Sequence, residues 1–388
     1  MTDLLRETLN EHADGIEPPP LDLDGIVAAG NRQVSRRRAL TVLGGAVATA
    51  AVAVGGAAVL RPRGQQPQPA RPAPFAERRV TYALGNEIHY GQDVVSVTPH
   101  RVNAFVQTDA GFVFLDEGNN IHIADRAGVR STGKAAWTLT ADHRGSLVAW
   151  VEGFNDRCES VVYDVATSRE LVRTAIGNAI PPNVSLAYSP RIVALDGTTA
   201  YFGTLKGLYR WNIATNKGEL IAEVSPVAVR TVTAGRIVHQ VPLEQPGTGT
   251  SLAIGTTVSA TAPARFVGQQ AFLSPGARYL VTEPDDAMPG IQPLWADLLM
   301  YDATTATPSH MPRDYFSTVF GQWLDDTTFT AAAGRNTSPA PVADLVVVDA
   351  ATGSVRVVLE KFSTFTFGRS APRTTAFALP TGSPIVDR

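Results

Sequence analysis

A six-residue pattern recurs along the second part of this chain of 388 residues, and each copy is a short apolar run that ends on a small or polar residue. The clear copies are Asn120–Asp125, Glu159–Asp164, Gly207–Asn212, Asp297–Asp302 and Asp344–Asp349, and the weaker ones are Glu87–Gln92 and Thr250–Gly255. Their last residues lie 33 to 48 positions apart, the spacing expected of four-stranded blades. The repeat therefore predicts an all-β fold, a seven-bladed β-propeller.

The residues around each copy predict the other strands of a blade. Turn formers such as Ala166–Ser168 follow several copies, and a new apolar run follows each turn, so that copy and run form a hairpin. Apolar runs such as Leu147–Val151 precede the copies and supply earlier strands. If Phe362–Leu379 pairs with the N-terminal hairpin, the two ends of the chain close the ring. A six-bladed ring, in which the Glu87–Gln92 copy is spurious, is the alternative.

An uncharged segment from Ala39 to Leu60 separates a short tail from the repeats. Because about 20 apolar residues are needed to cross the hydrocarbon layer, the segment predicts a transmembrane helix. Ser35–Leu40 resembles a twin-arginine export signal and Ala51–Ala53 offers a small-residue cleavage site, so secretion with a cleaved signal is the alternative. The long stretch ahead of the segment favours a retained anchor.

The residues next to this segment predict its orientation. Arg36–Arg38 abut its start, and a long following domain can be translocated regardless of its own charge. We expect residues 1–38 to be a cytoplasmic tail, 39–60 a helix in the cell membrane, 61–79 a Pro- and Arg-rich linker and 80–388 an extracytoplasmic propeller.

The tail has the spacing of short amphipathic helices. Leu5, Leu9 and Ile16 fall on one face of the first, which ends at Pro18–Pro20. Helices this short are marginal alone, so the apolar face favours a cytoplasmic regulator or the membrane surface as its partner. A tail with no specific partner is the alternative.

Three segments resemble the blade corner of TolB-type propellers, which are relatives of WD-repeat propellers. The best is Phe272–Val281, and Ala141–Trp150 and Trp323–Phe329 are looser versions. The first departs from the family pattern at Gly276-Ala277, where the family has Asp-Gly. The resemblance covers the repeats and implies an interaction scaffold whose function the fold does not fix. The layout of tail, basic cluster, single span and outer domain resembles actinobacterial membrane proteins that accompany extracytoplasmic-function sigma factors.

No familiar catalytic motif occurs in the chain. It lacks a Gly-x-Ser-x-Gly elbow, a His-Glu-x-x-His helix, a phosphate-binding glycine-rich loop and a dinucleotide fingerprint. The lone Cys158 excludes an internal disulfide and a cysteine-based zinc site, and we expect it to be inert. We therefore predict no catalytic, cofactor-binding or metal-binding residues, and no cofactor. A net charge of −3 gives no argument for a nucleic-acid partner.

Several residues are candidates for a functional role, but the sequence favours a structural role for each. His89 and His122 hold the same place in two copies and could be paired ligands, but alternation makes them ordinary strand residues. Asp285-Asp286 and Asp325-Asp326 could bind a cation, yet acid pairs are common in surface turns. Asp22–Gly25 is expected to cap a helix. The expected blade-packing residues include the five tryptophans, Trp137, Trp150, Trp211, Trp295 and Trp323.

These observations predict a membrane-anchored, extracytoplasmic propeller that binds a protein, a glycan or a small ligand on one face and catalyses no reaction. In an extension of this hypothesis, the tail binds a regulator such as a sigma factor until the propeller meets its ligand. The competing hypothesis is an exported hydrolase or lyase of propeller type. It predicts a central pocket with several convergent acids, His or Arg, whereas a channel lined by small or apolar residues would argue against it.

Overall fold

Antiparallel strands make up all the regular structure that we describe in a computed structural model of the chain. The structure describes residues 73–153, 158–176, 189–241, 250–263, 265–283, 298–311, 315, 317–335, 342–364 and 377–384. Within these ranges 28 strands pair into seven four-stranded sheets. Each sheet is one blade, and we label its strands a to d from the central channel outward.

The strand bounds, given from a to d, are as follows. Blade 1 has β28 (Phe377–Ala378), β1 (Thr81–Leu84), β2 (Glu87–Tyr90) and β3 (Asp93–Ser96). Blade 2 has β4 (Ala104–Gln107), β5 (Phe112–Leu115), β6 (Asn120–Asp125) and β7 (Gly128–Ala135). Blade 3 has β8 (Thr140–Ala141), β9 (Leu147–Glu152), β10 (Glu159–Asp164) and β11 (Arg169–Thr174). Blade 4 has β12 (Arg191–Asp196), β13 (Thr199–Thr204), β14 (Gly207–Asn212) and β15 (Lys217–Ala222).

The remaining blades follow the same order. Blade 5 has β16 (Val229–Thr233), β17 (Arg236–Val241), β18 (Ser251–Gly255) and β19 (Phe266–Val267). Blade 6 has β20 (Gln270–Leu273), β21 (Tyr279–Glu283), β22 (Leu299–Asp302) and β23 (Pro308–Ser309). Blade 7 has β24 (Ser317–Trp323), β25 (Thr328–Arg335), β26 (Val342–Asp349) and β27 (Val355–Thr364).

The all-β, seven-bladed prediction is confirmed, and the six-bladed alternative is wrong. The described residues of every copy lie on or next to strand c of a blade, including those of Glu87–Gln92, whose strand is β2. The polar residue that ends a copy has a local role. Asp164 Oδ1 accepts the Ala166 N–H at 3.1 Å, and Asp349 Oδ1 accepts the Ala351 N–H at 3.0 Å. The five clear copies share this ending because their c–d turns use such a side chain to satisfy the main chain.

The end of the predicted segment Phe362–Leu379 completes blade 1, as the sequence predicted, whereas its first residues, Phe362–Thr364, belong to β27 of blade 7. Strand β28 pairs antiparallel with β1, with Phe377 opposite Leu84. Seven apolar cores, one between each pair of neighbouring blades, hold the ring together. The core between blades 7 and 1 includes Leu345, Phe377 and Leu379, so burial of the C-terminal strand closes the ring.

Two features differ from the sequence-based expectations for packing. Trp150, Trp211 and Trp323 are buried as predicted, but Trp137 is 52% exposed, so its predicted packing role is wrong. Trp137 lies on the connection between blades 2 and 3, where the chain runs over the surface. In addition, Phe75, which falls within the predicted linker, is buried in the core between blades 1 and 2.

Several predictions fall on residues that lie outside the described ranges. They are the transmembrane helix at 39–60, the tail with Leu5, Leu9 and Ile16, the Asp22–Gly25 cap, Asp285-Asp286 and Trp295. Among the residues that the structure describes, none forms a helix with the length and hydropathy needed to span a bilayer.

Candidate functional site

A cavity of about 210 Å³ lies in the central channel. Its walls come from the a strands or the turns after them in blades 2 to 7, and from Pro380 and Thr381, which follow the a strand of blade 1. Much of the wall is apolar or small, as at Val193, Leu273 and Phe320. Charged and titratable groups gather at the a–b turns, at one end of the channel.

Four carboxylates at this end connect neighbouring blades. Each accepts the main-chain N–H of a glycine in the a–b turn of a neighbouring blade, at 2.6 to 2.9 Å. The pairs are Asp109 with Gly145, Asp142 with Gly197, Asp196 with Gly235, and Asp326 with Gly276. Because hydrogen bonds to a charged acceptor are strong, these carboxylates fix the a–b turns against one another. We call these four residues, with Arg78 and His143, the channel mouth.

Arg78 is the buried cation of the channel mouth. Its side chain is 5% exposed and its Nη2 lies 3.1 Å from Asp109 Oδ1. Its Nη1 donates to the carbonyl oxygen of Phe75 at 3.0 Å. Burial lowers the pKa of Arg78, and the charge of Asp109 opposes this effect. The ion pair with Asp109 thus compensates a charge that would otherwise be costly to bury.

Asp142 and His143 have shifted pKa values. Burial raises the pKa of Asp142, against the hydrogen bond from the Gly197 N–H. Burial, and then the positive charges of Arg78 and Arg144, lower the pKa of His143 to about 4. At neutral pH His143 is therefore an uncharged imidazole beside a partly buried carboxyl group. Shifted pKa values in a cleft are typical of functional sites, although structural networks produce them too.

The lining limits what chemistry this cavity can perform. Among its described lining residues, hydroxyl groups come from Thr140, Thr231, Thr233 and Thr381, and none is a serine or cysteine. Thr140 Oγ1 donates to the Ile192 carbonyl oxygen at 3.3 Å, so its hydroxyl is held by the main chain. An activated nucleophile needs a general base within hydrogen-bond reach. The Thr140 hydroxyl is instead engaged with the main chain of blade 4.

The residues that the sequence singled out occupy separate places. His89 stacks on Tyr82 with ring centroids 4.6 Å apart, whereas His122 contacts Asp116 in the next blade, so the structure does not bring these two histidines together. Asp325 Oδ1 accepts N–H groups of its own turn, while Asp326 reaches Gly276 of blade 6. The two carboxylates therefore serve separate main-chain donors.

The structure reveals a further cluster that the sequence did not indicate. It consists of His100, Asp116 and His122, whose potential ligand atoms all lie within 4.8 Å of one another. His100 lies on the connection between β3 and β4, Asp116 on the β5–β6 turn and His122 on β6. Spacings of 16 and 6 residues match no familiar metal motif, and the only available signal was the pair of imidazoles near one acid.

No protein-family model matches this chain, and no curated protein is similar to it. Among solved structures, it is similar to TolB from Acinetobacter baumannii at 12% identity and a TM-score of 0.40. The similarity covers 78% of this chain and 66% of TolB, so that the chain spans just under two thirds of TolB. It is also similar to the β-propeller domain of the trilobed protease from Pyrococcus furiosus (13% identity, TM-score 0.45, 67% of this chain and 84% of that one). A third similar structure is that of a puromycin hydrolase, at 12% identity and a TM-score of 0.44, over 76% of this chain and 55% of the hydrolase. Similarities this distant concern the fold, and the propeller is established here by its sheet topology.

Proposed function

We propose that this chain is a membrane-anchored, extracytoplasmic binding module whose channel mouth receives a basic side chain of a protein partner. The observation that carries the proposal is the set of four carboxylates around the end of the channel, of which one, Asp109, is neutralised by Arg78. The other three outnumber Arg144, the further cation beside His143, and so give the mouth an excess of negative charge. Such a concentration of one sign attracts and orients a group of the opposite charge.

The size of the cavity supports a side chain rather than a whole small molecule as the ligand. Its volume of about 210 Å³ is smaller than the roughly 300–1,000 Å³ of common small-molecule pockets. An apolar wall with a charged rim suits the aliphatic stem and charged head of Lys or Arg. The rest of the partner would lie across the turns that surround the channel.

The anchor and the tail complete the proposal. The uncharged segment 39–60 supports anchoring in the cell membrane, and Arg36–Arg38 support a cytoplasmic tail. A regulator such as a sigma factor would bind the apolar face of Leu5, Leu9 and Ile16. Mass spectrometry of the N-terminus after cell fractionation tests this arrangement. An intact N-terminus in the membrane fraction agrees with it, and a soluble form that begins near Val54 contradicts it.

Binding at the mouth is tested with short neutral peptides that differ at one central position, occupied by Arg, Lys, Met or Glu. Ligand-observed NMR should detect the Arg and Lys peptides and not the Glu peptide, with binding weakened by salt. Asp142→Asn and Asp196→Asn should weaken binding, because each removes a charge and keeps an oxygen for its glycine N–H. The control is Asp349→Asn, at the outer c–d turn of blade 7. Equal binding of all four peptides, or unchanged binding by both mouth variants, would refute the proposal.

A second candidate is favoured by one observation. Arg78, Asp142, His143 and Asp196 converge on the cavity, as a propeller-type hydrolase or lyase requires, and two of these groups have pKa values shifted toward neutral acid and neutral base forms. In this alternative the chain is exported and acts as an enzyme. Turnover of ester, amide or glycoside substrates that is abolished by both Asp142→Asn and His143→Gln would establish it. Turnover that persists in these variants would exclude the channel as its active site.

A further inference from the structure

We propose that His100, Asp116 and His122 form a binding site for a divalent transition-metal ion, with Zn²⁺ as the best candidate. The site lies on blade 2 and on the connection that leads into it, and it is independent of the channel mouth. It departs from the sequence-based expectation of no metal-binding residues.

The three side chains present their ligand atoms to one another. Asp116 Oδ2 lies 2.9 Å from His122 Nε2 and 3.8 Å from His100 Nδ1, and the imidazole centroids are 3.9 Å apart. Ligand atoms around a tetrahedral Zn²⁺ are about 3.3 Å apart, given metal–ligand bonds of about 2.0–2.1 Å. Small side-chain rotations therefore suffice to place all three atoms around one ion.

The carboxylate is already oriented by its other oxygen. Asp116 Oδ1 accepts the N–H groups of Gly118 and Asn120 at 2.8 and 2.9 Å, and the Asn120 amide at 3.1 Å. The Asn120 amide also donates to Oδ2 at 3.0 Å, and this same oxygen faces the two imidazoles. Such outer hydrogen bonds are what hold metal ligands in place.

The cluster is buried on one side and open on the other. The side chain of His122 is 4% exposed and that of Asp116 is 15% exposed, whereas His100 is 31% exposed. A metal ion could enter past His100 and keep a water molecule as a fourth ligand. Two imidazoles and one carboxylate with an open position suit Zn²⁺ and its neighbours in the transition series, while Mg²⁺ and Ca²⁺ prefer oxygen ligands throughout.

The competing explanation is that the Asp116–His122 hydrogen bond only stabilises blade 2. The other ring nitrogen of His122, Nδ1, is buried without a hydrogen-bond partner among the described residues, which limits the affinity of a metal site here. When Nε2 binds a metal ion, Nδ1 carries the proton of the neutral imidazole, and this N–H finds no acceptor. We therefore expect moderate affinity, about 10–100-fold weaker than at a site with a complete outer shell.

Metal-free, full-length protein titrated with Zn²⁺ by calorimetry, and with Co²⁺ by visible absorption, tests the site. We expect one ion per chain and the absorption bands of a low-coordinate Co²⁺ site. The informative variant is His100→Gln, since His100 is the most exposed of the three and its loss is least disruptive to the fold. Its affinity should fall about 10-fold or more.

The matched control is His89→Gln. His89 also lies near a carboxylate, 3.5 Å from Glu87, but in blade 1 and outside the cluster. It should bind Zn²⁺ as the wild-type protein does. Absence of stoichiometric binding in the wild-type protein, unchanged affinity in His100→Gln, or equal losses in both histidine variants would overturn the proposal, the last because it would indicate scattered surface binding.

Discussion

The main-chain N–H of Gly276 in blade 6 donates a 2.6 Å hydrogen bond to the Asp326 carboxylate in blade 7. This bond joins two a–b turns that lie 50 residues apart in sequence. The blade-corner pattern that Phe272–Val281 resembles has Asp at position 276. A Cβ atom at Gly276 would lie 2.9 Å from Asp326 Oδ2, so the carboxylate occupies the space of a side chain.

Introducing Asp at position 276 should therefore destabilise this protein. In Gly276→Asp the new side chain displaces the Asp326 carboxylate, breaks a hydrogen bond to a charged acceptor and places two negative charges together. We expect the free energy of unfolding to fall by about 2–3 kcal/mol, measured by urea denaturation.

A double-mutant cycle isolates the contribution of charge. In an Asp326→Asn background, Gly276→Asp should cost less than in the wild-type background, because the like charge is gone. Equal costs in both backgrounds would show that Asp326 is not what constrains position 276.

Much of the fold was predictable because its signals are local. Strand c is an apolar run that ends in a side chain such as Asp349, which caps the next turn, and both features lie within about ten residues. The channel mouth was not predictable in this way. Asp109, Asp142 and Asp196 accept hydrogen bonds from glycines 36, 55 and 39 residues away, and no local pattern encodes such pairs. The cluster of His100, Asp116 and His122 was not predictable from the sequence for the same reason, since His100 lies on a connection outside the repeat.

A substitution in the a–b turn of blade 5 should stabilise the fold. Ala234 is exposed and has a φ of +50°, and Gly235 follows with +70°, so the turn needs left-handed backbone at both positions. Asn tolerates this conformation better than Ala. We expect Ala234→Asn to raise the free energy of unfolding by about 0.5–1 kcal/mol in urea denaturation. Ala234→Val is the control and should lower it, since a β-branched residue suits this conformation least.

The segment after β28 should be sensitive to a single methyl group. Gly382 donates its N–H to the Phe105 carbonyl oxygen and accepts the Leu139 N–H, both at 2.8 Å, and thereby fastens the chain end to blades 2 and 3. Its φ is +78°, and a Cβ atom would lie 1.9 Å from the Leu139 oxygen. We expect Gly382→Ala to lower the free energy of unfolding by about 2–4 kcal/mol.

The control for Gly382→Ala is a glycine with similar backbone and free space. Gly85 has a φ of +58°, and a Cβ there would meet nothing within 4 Å. Gly85→Ala should cost only the backbone term, about 1 kcal/mol. If the two substitutions prove equally costly in thermal and urea denaturation, the close approach of Gly382 to Leu139 does not constrain the chain end.

The buried imidazole of His143 should make stability depend on pH. Its pKa is lowered to about 4 in the folded protein, from 6.5 for an ordinary histidine. Above 6.5 both states hold a neutral imidazole, so the fold carries no penalty. As the pH falls below 6.5, His143 binds a proton in the unfolded chain, whereas in the folded protein it stays neutral down to about pH 4. The free energy of unfolding therefore decreases between pH 6.5 and about pH 4. Asp142, whose pKa is raised, acts in the opposite direction, because its folded form holds a proton more readily.

Comparison with His143→Gln separates the histidine from the other titrating groups, which both proteins share. Between about pH 7.5 and about pH 5, the wild-type protein should lose about 1–2 kcal/mol more than the variant, seen as a larger drop of its urea midpoint at constant m-value. Above neutral pH, the free energy of unfolding should change with pH in the same way in both proteins, since His143 takes up no proton there in either the folded or the unfolded state. Parallel pH profiles down to about pH 5 would mean that His143 is solvated enough to titrate as it does in the unfolded chain. The mouth would then be more open to water than the burial of this ring implies.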